Sequence, residues 1–211
     1  MGIFHNEDGR AVLLNMVKVI QDNKQMLGDV DGLIGDGDHG MNMNKGFTIY
    51  ADQLGSNEVS FSDGLFDLGS VLLNKIGGSM GPIYGTVFMG MSDACDDSET
   101  IDAGLLCKML EAGMNDLYDI VDARPGDKTL VDTLYPAVEA LRQNADGDFA
   151  EALDKMKAAA EKGRESTVDM VAKYGRASRL GERSRGVPDA GATSCCLILC
   201  AMAEGIKGVL R

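Results

Sequence analysis

The sequence is poor in several residue types. It has no tryptophan, four prolines and two histidines, and aromatic residues make up 5% of its 211 positions. It carries 20 basic against 33 acidic residues, a net charge of −13, which argues against nucleic-acid or anionic-lipid partners. No apolar run approaches the roughly 20 residues of a membrane-spanning helix. Residues 1–10 lack the basic-then-apolar order of a secretory signal. We therefore expect a cytoplasmic protein without membrane or nucleic-acid partners.

The cysteines form an odd set without a CxxC motif. Small buried hydrophobic residues in a reducing compartment explain all five. A nucleophilic cysteine is disfavoured because the chain offers only His5 and His39 as partners. The five positions are Cys95, Cys107, Cys195, Cys196 and Cys200.

Apolar residues recur at spacings of three and four, and strand-like alternation is scarce. Residues 61–76, for example, place Phe61, Leu65, Leu68 and Leu72 on one helix face. Hydrophobic residues at 45% are sufficient for one core, so we expect a single all-α domain over residues 1–211. Ser60 or Ser62, and Asp148 with Glu151, are predicted helix N-caps. The predicted helices are 8–27, 45–55, 60–76, 85–95, 99–121, 129–144, 148–174 and 192–210.

The connections between these helices alternate between two kinds. Those near 56–59, 96–98 and 145–147 are short and chemically plain. The others are long and rich in glycine and charge. Alternate connections of an up-and-down antiparallel bundle lie at the same end, which predicts one composite site at that end. The long connections are 28–44, 77–84, 122–128 and 175–191.

The first long connection contains Asp31, Asp36 and Asp38, separated by glycines. Three carboxylates this close repel one another unless a cation lies among them. Oxygen ligands favour a hard ion such as Mg²⁺, which keeps phosphate oxygens in its shell. No register fits a calcium EF-hand, and an acidic solvated turn is the alternative. His39 is a candidate phosphate donor or a packing residue, and Asn42 a ligand contact or a helix cap.

The remaining long connections carry features that favour anions. Gly77–Pro82 precedes a helix and offers free N–H groups, although half of such stretches are simple turns. No GxxxxGK[ST] motif occurs, which disfavours a Walker-type NTPase. Lys128 is a candidate phosphate contact and Thr129 a candidate cap. Residues 176–185 hold four arginines, which indicate anion binding or a solvated loop.

Four motifs together resemble one known family, the L subunit of dihydroxyacetone kinase. They read IGDGDHGMNMNKGF, GGSMGPIYGT, RPGDKTLVDTLYPA and GRASRLGERSRGVPDAGATS, in the family's order. The resemblance runs over nearly the whole chain. It implies a barrel of eight antiparallel amphipathic helices, with a nucleotide site formed by loops at one end.

The resemblance also implies roles for individual residues. Two Mg²⁺ ions are expected on Asp31, Asp36 and Asp38. Met80 stands where the family often has a phosphate-binding serine, which puts one hydrogen bond in doubt unless Ser79 or a backbone N–H supplies it. Ala190 replaces the usual proline and should only loosen its loop. The positions expected to contact ADP or ATP are His39, Gly40, Met41, Asn42, Ser79, Met80, Leu130, Arg176, Asp189, Ala190 and Gly191.

The implied activity is transfer of a phosphoryl group to dihydroxyacetone held on a separate K subunit. In the phosphotransferase-system form, an M subunit carrying phosphohistidine rephosphorylates the ADP held by the L subunit. No catalytic nucleophile or base is then expected on this chain. The alternatives are an L subunit of an ATP-dependent kinase for another small ketose, and a nucleotide-binding partner of a transcriptional regulator. A helical metal-binding scaffold without nucleotide is a third possibility.

Overall fold

The computed structural model describes residues 2–211 and is built from α-helices. Among these residues, one two-stranded antiparallel sheet pairs β1 (Phe4–His5) with β2 (Thr100–Ile101). The predicted all-α class is confirmed. The helices are α1 (Gly9–Asp22), α2 (Lys24–Gly32), α3 (His39–Leu54), α4 (Phe61–Lys75), α5 (Met80–Asp93), α6 (Ala103–Ile120), α7 (Val131–Arg142), α8 (Phe149–Ser166) and α9 (Ala190–Val209), with 3₁₀ turns at Asn6–Asp8, Thr167–Asp169 and Ala177–Ser184.

Several predicted boundaries were wrong. The helix predicted over 8–27 is interrupted at Asn23, so that it forms α1 and α2. The helix predicted to end at 174 ends at Ser166, and a 3₁₀ turn follows. Helices α3 and α5 begin at residues 39 and 80, earlier than the predicted 45 and 85. The Ser60 cap is confirmed because its side chain accepts a hydrogen bond from Asp63 N.

The contacts between neighbouring helices form a closed ring. Helix α1 contacts α3, each helix from α3 to α8 contacts the next, and α9 contacts both α8 and α1. One cluster of buried hydrophobic side chains includes residues from all nine helices. Burial of this apolar surface is the main driving force for the fold. The eight-helix barrel and the single domain over 1–211 stay predictions.

Glycines permit the closest helix contacts. A Cβ added at Gly69 of α4 would lie 2.9 Å from the Gly85 carbonyl oxygen of α5, and one added at Gly85 would lie 2.9 Å from the Gly69 carbonyl oxygen. No larger residue fits either position without separating the two backbones. This glycine pair therefore fixes the distance between α4 and α5.

Helix α9 corrects two expectations. Its 20 residues are long and apolar enough to cross a membrane by length and composition, contrary to the expectation that no run is. However, 61% of its most apolar stretch is buried inside the structure, as is typical of a core helix. Cys195 and Cys196 of α9 are buried with Cys95 and Cys107, whereas Cys200 is only half-buried. All five cysteines are free.

Candidate functional site

All four long connections meet at one cavity of about 390 Å³, a volume typical of small-molecule sites. Its lining comes from the segments 31–39, 79–84, 121–130, 174–177 and 189–191. The convergence expected from alternate connections is therefore confirmed. Residues far apart in sequence line one cavity because two helices separate each long connection from the next, which returns the chain to the same end.

The cavity lies at the N-termini of four helices. The first residues of α3, α5 and α9, and the residues just before α7, all line it. Each helix N-terminus presents unpaired N–H groups and partial positive charge, which attract anions. The N-cap side chains of α3 and α5, Asp38 and Ser79, make no capping hydrogen bond to the first-turn N–H groups of their own helices. This arrangement favours a phosphate group.

The three aspartates form a compact cluster on the cavity wall. One carboxylate oxygen from each of Asp31, Asp36 and Asp38 lies within 4.8 Å of the others. Gly35 makes this possible because a Cβ there would lie 2.4 Å from Asp31 Oδ1. Gly37 adopts a φ of +76°, which turns the chain back between the second and third carboxylates. The fold brings together all three predicted metal ligands.

The electrostatics of the cluster favour a bound cation. Burial, followed by the charges of Asp36 and Asp31, raises the pKa of Asp38 above its usual value. Arg176 partly offsets these charges, and its Nη1 lies 2.6 Å from Asp36 Oδ2. Oxygen-only ligands at this spacing fit Mg²⁺. The residues therefore fit the metal that the resemblance implies.

His39 is buried at the base of the cavity, with 7% of its surface exposed. Its Nε2 shares a 2.7 Å hydrogen bond with Ser194 Oγ, which lies 2.6 Å from the Tyr84 hydroxyl. Tyr84 also donates to the Gly191 carbonyl oxygen at 3.0 Å. Burial lowers the pKa of His39 to about 4, so the ring is neutral at pH 7. A neutral ring in this network is a hydrogen-bonding group rather than a cation.

Asp189 lies at the N-terminus of α9 and caps that helix by accepting a 2.8 Å hydrogen bond from Ala192 N. Burial raises the pKa of its carboxyl to about 6, although this capping bond and the Lys128 ammonium lower it. The Lys128 ammonium donates to the carbonyls of Thr167 and Val187. The Lys128 ammonium is thus bound by backbone carbonyls, whereas the sequence made it a candidate phosphate contact.

Eleven of the fourteen predicted site residues line the cavity. The exceptions are Gly40, Met41 and Asn42. Gly40 packs α3 against α2, since a Cβ there would lie 1.9 Å from Lys24 O. Met41 is 67% exposed, and Asn42 hydrogen-bonds with Asp38. Their predicted nucleotide contacts therefore stay predictions without support from the cavity's shape.

Sequence reasoning did not identify the apolar side of the cavity. Ile34, Ile83, Val121 and Ala123 line it together with Leu130. Single apolar residues beside a loop carry no pattern that separates a cavity wall from a core. Tyr84 and Ser194 were also missed, although Tyr84 lies in the motif GGSMGPIYGT and Ser194 ends the motif GRASRLGERSRGVPDAGATS. Their place in these motifs could have marked them as site residues. The cavity thus combines a charged half and an apolar half.

The fold and the cavity define an all-α protein with a carboxylate cluster surrounded by helix N-termini. Comparison with known proteins gives the family. The model of the DAK2 domain matches residues 33–204, and the chain belongs to that family. The predicted resemblance and the predicted enzyme class, a phosphotransferase, are confirmed at this level.

Two relatives match over most of their length. The chain is 42% identical over 186 residues to "PEP-dependent dihydroxyacetone kinase 1, ADP-binding subunit DhaL" of Listeria innocua, covering 88% of this chain and 89% of the relative. It is 35% identical over 194 residues to "PEP-dependent dihydroxyacetone kinase, ADP-binding subunit DhaL" of Escherichia coli, covering 90% and 91%.

A solved structure shares the fold. The dihydroxyacetone kinase from C. freundii, in complex with AMP-PNP and Mg²⁺, matches with a TM-score of 0.69 and 21% identity. The match covers 93% of this chain and 33% of that one, so the chain spans a third of the length of that kinase.

Proposed function

We propose that this chain is the nucleotide-binding, phosphoryl-transferring subunit of a dihydroxyacetone kinase. Its cavity binds ADP together with two Mg²⁺ ions. The observation that carries the proposal is the meeting of three carboxylates with four helix N-termini in one cavity. The carboxylates suit divalent cations and the N-termini suit phosphates, and a metal-bound polyphosphate satisfies both.

The side chains divide into three roles. Asp31, Asp36 and Asp38 hold the metal ions, and bound Mg²⁺ supplies positive charge that offsets both the carboxylates and the polyphosphate. Arg176 adds a guanidinium on the same side of the cavity. The apolar wall that contains Leu130 receives the base of the nucleotide. The Ser79 hydroxyl and the first-turn N–H groups of α5 donate the phosphate hydrogen bond that the Met80 side chain cannot donate.

Two of the expected nucleotide contacts act through the backbone. Ala190 and Gly191 begin α9 and line the cavity, and the first-turn N–H groups of a helix are available to a phosphate. A Cβ at Gly191 would lie 3.0 Å from Asp189 Oδ2, so this position suits glycine. The proposal includes no catalytic base on this chain, because the substrate ketose is held by the partner.

The proposed partners are those of the phosphotransferase-system form. A K subunit presents dihydroxyacetone at the cavity mouth, and an M subunit carrying phosphohistidine returns a phosphoryl group to ADP. The two relatives named as ADP-binding subunits of PEP-dependent kinases support this form over use of ATP as an exchanging substrate. An ATP-dependent partner for another small ketose, and a transcriptional regulator, remain alternatives. We propose a cytoplasmic location because PEP-dependent phosphoryl transfer takes place there.

Nucleotide content tests the proposed form. The protein is purified without added nucleotide, denatured, and the supernatant is assayed for ADP and Mg²⁺. We expect near-stoichiometric ADP, which means a coenzyme rephosphorylated in place. An empty protein that binds ATP reversibly would favour the ATP-dependent alternative. No binding of either nucleotide with Mg²⁺ would contradict the proposal and favour a scaffold.

Substitution of the metal ligands tests the site. Asp36→Ala with Asp38→Ala removes two of the three carboxylates, and we expect Mg²⁺-dependent ADP affinity to fall at least a hundredfold by calorimetry. The matched control is Asp52→Ala with Glu58→Ala, which removes the same charge from exposed positions outside the cavity. Unchanged Mg²⁺-dependent binding in the first variant would overturn the assigned metal site.

A further inference from the structure

Lys128 combines two unusual properties. It is the one buried lysine among residues 2–211, with 1% of its surface exposed. Its φ is +61°, in the left-handed region that non-glycine residues rarely adopt. The other non-glycine residues with positive φ in the described chain, Asp96 and Asp97, are of a type that tolerates it in turns. A strained, buried lysine calls for a compensating interaction.

The compensating interaction joins the two ends of one segment. We define the arginine segment as residues 167–189, which connects α8 to α9 and carries Arg176. The Lys128 ammonium donates to the carbonyl oxygen of Thr167 at one end and, at 2.6 Å, to that of Val187 near the other. Asp189 N donates to Thr167 Oγ1 at 3.0 Å, which completes the closure. One ammonium thus holds both ends of a segment without an α-helix of its own.

The turn that carries Lys128 is itself held firmly. Asp132, in the first turn of α7, accepts hydrogen bonds from Gly126 N at 2.5 Å and Thr129 N at 2.8 Å. A second contact joins the same turn to Lys173 in the first half of the arginine segment. Lys173 Nζ lies 2.6 Å from Asp127 Oδ1, and Lys173 N donates to the Asp127 carbonyl oxygen at 3.2 Å. The turn is therefore a fixed base for a segment with little structure of its own.

We propose that Lys128 is a positioning residue for nucleotide binding, which holds the arginine segment so that Arg176 and Asp189 stay at the cavity. The inference rests on the proposed function, because these are residues assigned to nucleotide. A buried ammonium is unfavourable unless acceptors surround it. The Lys128 side chain therefore stabilises only conformations in which the carbonyls of Thr167 and Val187 accept its hydrogen bonds. These bonds restrict the conformations of the whole arginine segment.

The test removes the ammonium and keeps the side-chain length. We expect Lys128→Met to weaken Mg²⁺–ADP binding at least tenfold by calorimetry. Trypsin cleavage within the arginine segment should become at least tenfold faster, since its arginines at positions 176, 179, 183 and 185 are exposed. Binding of Mn²⁺ alone to the aspartate cluster should not weaken, because release of Arg176 removes a cation that lies 2.6 Å from Asp36 Oδ2. Lys128→Arg, which keeps the charge and the donors, should restore most of the ADP affinity.

The matched control is Lys207→Met, which removes a lysine paired with Asp154 on the outer face of α9. It should leave the ADP affinity, the rate of trypsin cleavage and the Mn²⁺ affinity within twofold of the original protein. Lys128→Met with unchanged ADP affinity and unchanged cleavage would overturn the inference. If Lys128→Met does not fold, Lys128→Gly is the second variant, because glycine accepts a positive φ. If neither variant folds, Lys128 is required for folding as a whole and the inference is wrong.

Failure of the inference is distinguishable from failure of the proposed function. If the unmodified protein binds no nucleotide, the proposed function fails, and the trypsin measurement still reports whether Lys128 holds the segment. If the unmodified protein binds ADP and Lys128→Met binds it equally well, only the inference fails.

Discussion

His39 shows how one residue type is redefined by its surroundings. From the sequence, a histidine beside three carboxylates is a candidate for either acid–base work or a hydrogen bond to phosphate. In the structure its ring is buried and paired with Ser194. Burial opposes the protonated form more strongly than the Asp31 charge favours it. The residue is therefore a neutral member of a hydrogen-bond network at physiological pH.

The lowered pKa of His39 predicts acid sensitivity of the metal-free protein. An unfolded histidine takes up its proton near pH 6.5, whereas His39 in the folded protein does so near pH 4. Stabilisation is complete above pH 6.5 and is lost as the pH falls from 6.5 towards 4, by up to about 3 kcal/mol. Asp189, whose pKa is raised to about 6 by burial, contributes the opposite slope between pH 6 and 4. The His39 contribution is therefore measured as the difference in urea denaturation between the original protein and His39→Gln across this range.

The control for this prediction is His5→Gln, which changes the other histidine and should leave the slope in place. An equal slope in His39→Gln and in the original protein would show that other groups cause the acid sensitivity. The measurement uses protein treated with EDTA, so that loss of metal does not contribute.

At the scale of elements, the sequence predicted the order of helices better than their number or their starts, because the first of the eight predicted helices forms both α1 and α2. Helices α3 and α5 begin at residues 39 and 80, in stretches that glycine makes resemble loops. Glycine disfavours a helix interior, but Gly40 and Gly81 lie where a Cβ would meet the backbone of the neighbouring helix. Tertiary packing therefore selected glycine inside the first turn of each helix.

The wrongly predicted helix starts also limited prediction of the site. The acidic cluster, Ser79, Arg176 and the start of α9 were predictable, because each lies in a motif with charged or glycine residues at close spacing. A helix N-terminus after Gly77–Pro82 was also predicted, but the exact starts of α3 and α5 at residues 39 and 80 were not. The role of Lys128 was also hidden, because its partners are backbone carbonyls that no sequence pattern marks.

The contact between α4 and α5 gives a prediction at this scale. Gly69→Ala places a Cβ 2.9 Å from the Gly85 carbonyl oxygen. Because two backbones must separate to accept it, we expect a loss of about 1–3 kcal/mol in the free energy of unfolding. Urea denaturation of the metal-free protein measures the change.

Gly208→Ala is the matched control, since this exposed glycine of α9 has nothing within 4 Å of an added Cβ. It should be neutral or stabilise the protein by about 0.5–1 kcal/mol, because alanine favours a helix. Equal effects of the two substitutions would show that the α4–α5 contact is not the cause.

At the scale of the whole molecule, one cavity connects most of the chain. Its lining runs from Asp31 to Gly191 and includes residues at the starts of α3, α5 and α9. A ligand that contacts these elements together stabilises the folded state as a unit, because the unfolded chain has no such site. The acidic net charge of −13 adds a repulsion that bound cations reduce.

Metal removal tests this coupling. With Mg²⁺ and ADP at about 100 times the dissociation constant, the free energy of unfolding should rise by about 2.7 kcal/mol. The thermal midpoint should then rise by roughly 5–10 °C. EDTA should abolish the shift, and ADP without Mg²⁺ should give little. A full shift in the presence of EDTA would show that nucleotide binds without the aspartate cluster.

The position of α9 in the chain has a consequence for biosynthesis. Helix α9 contributes the last cavity residues, Asp189–Gly191, and also contacts α1 at the beginning of the chain. A ribosome exposes the three aspartates long before it exposes α9. The growing chain therefore carries an incomplete acidic site until α9 has left the exit tunnel and docked, and ligand capture has to wait until then.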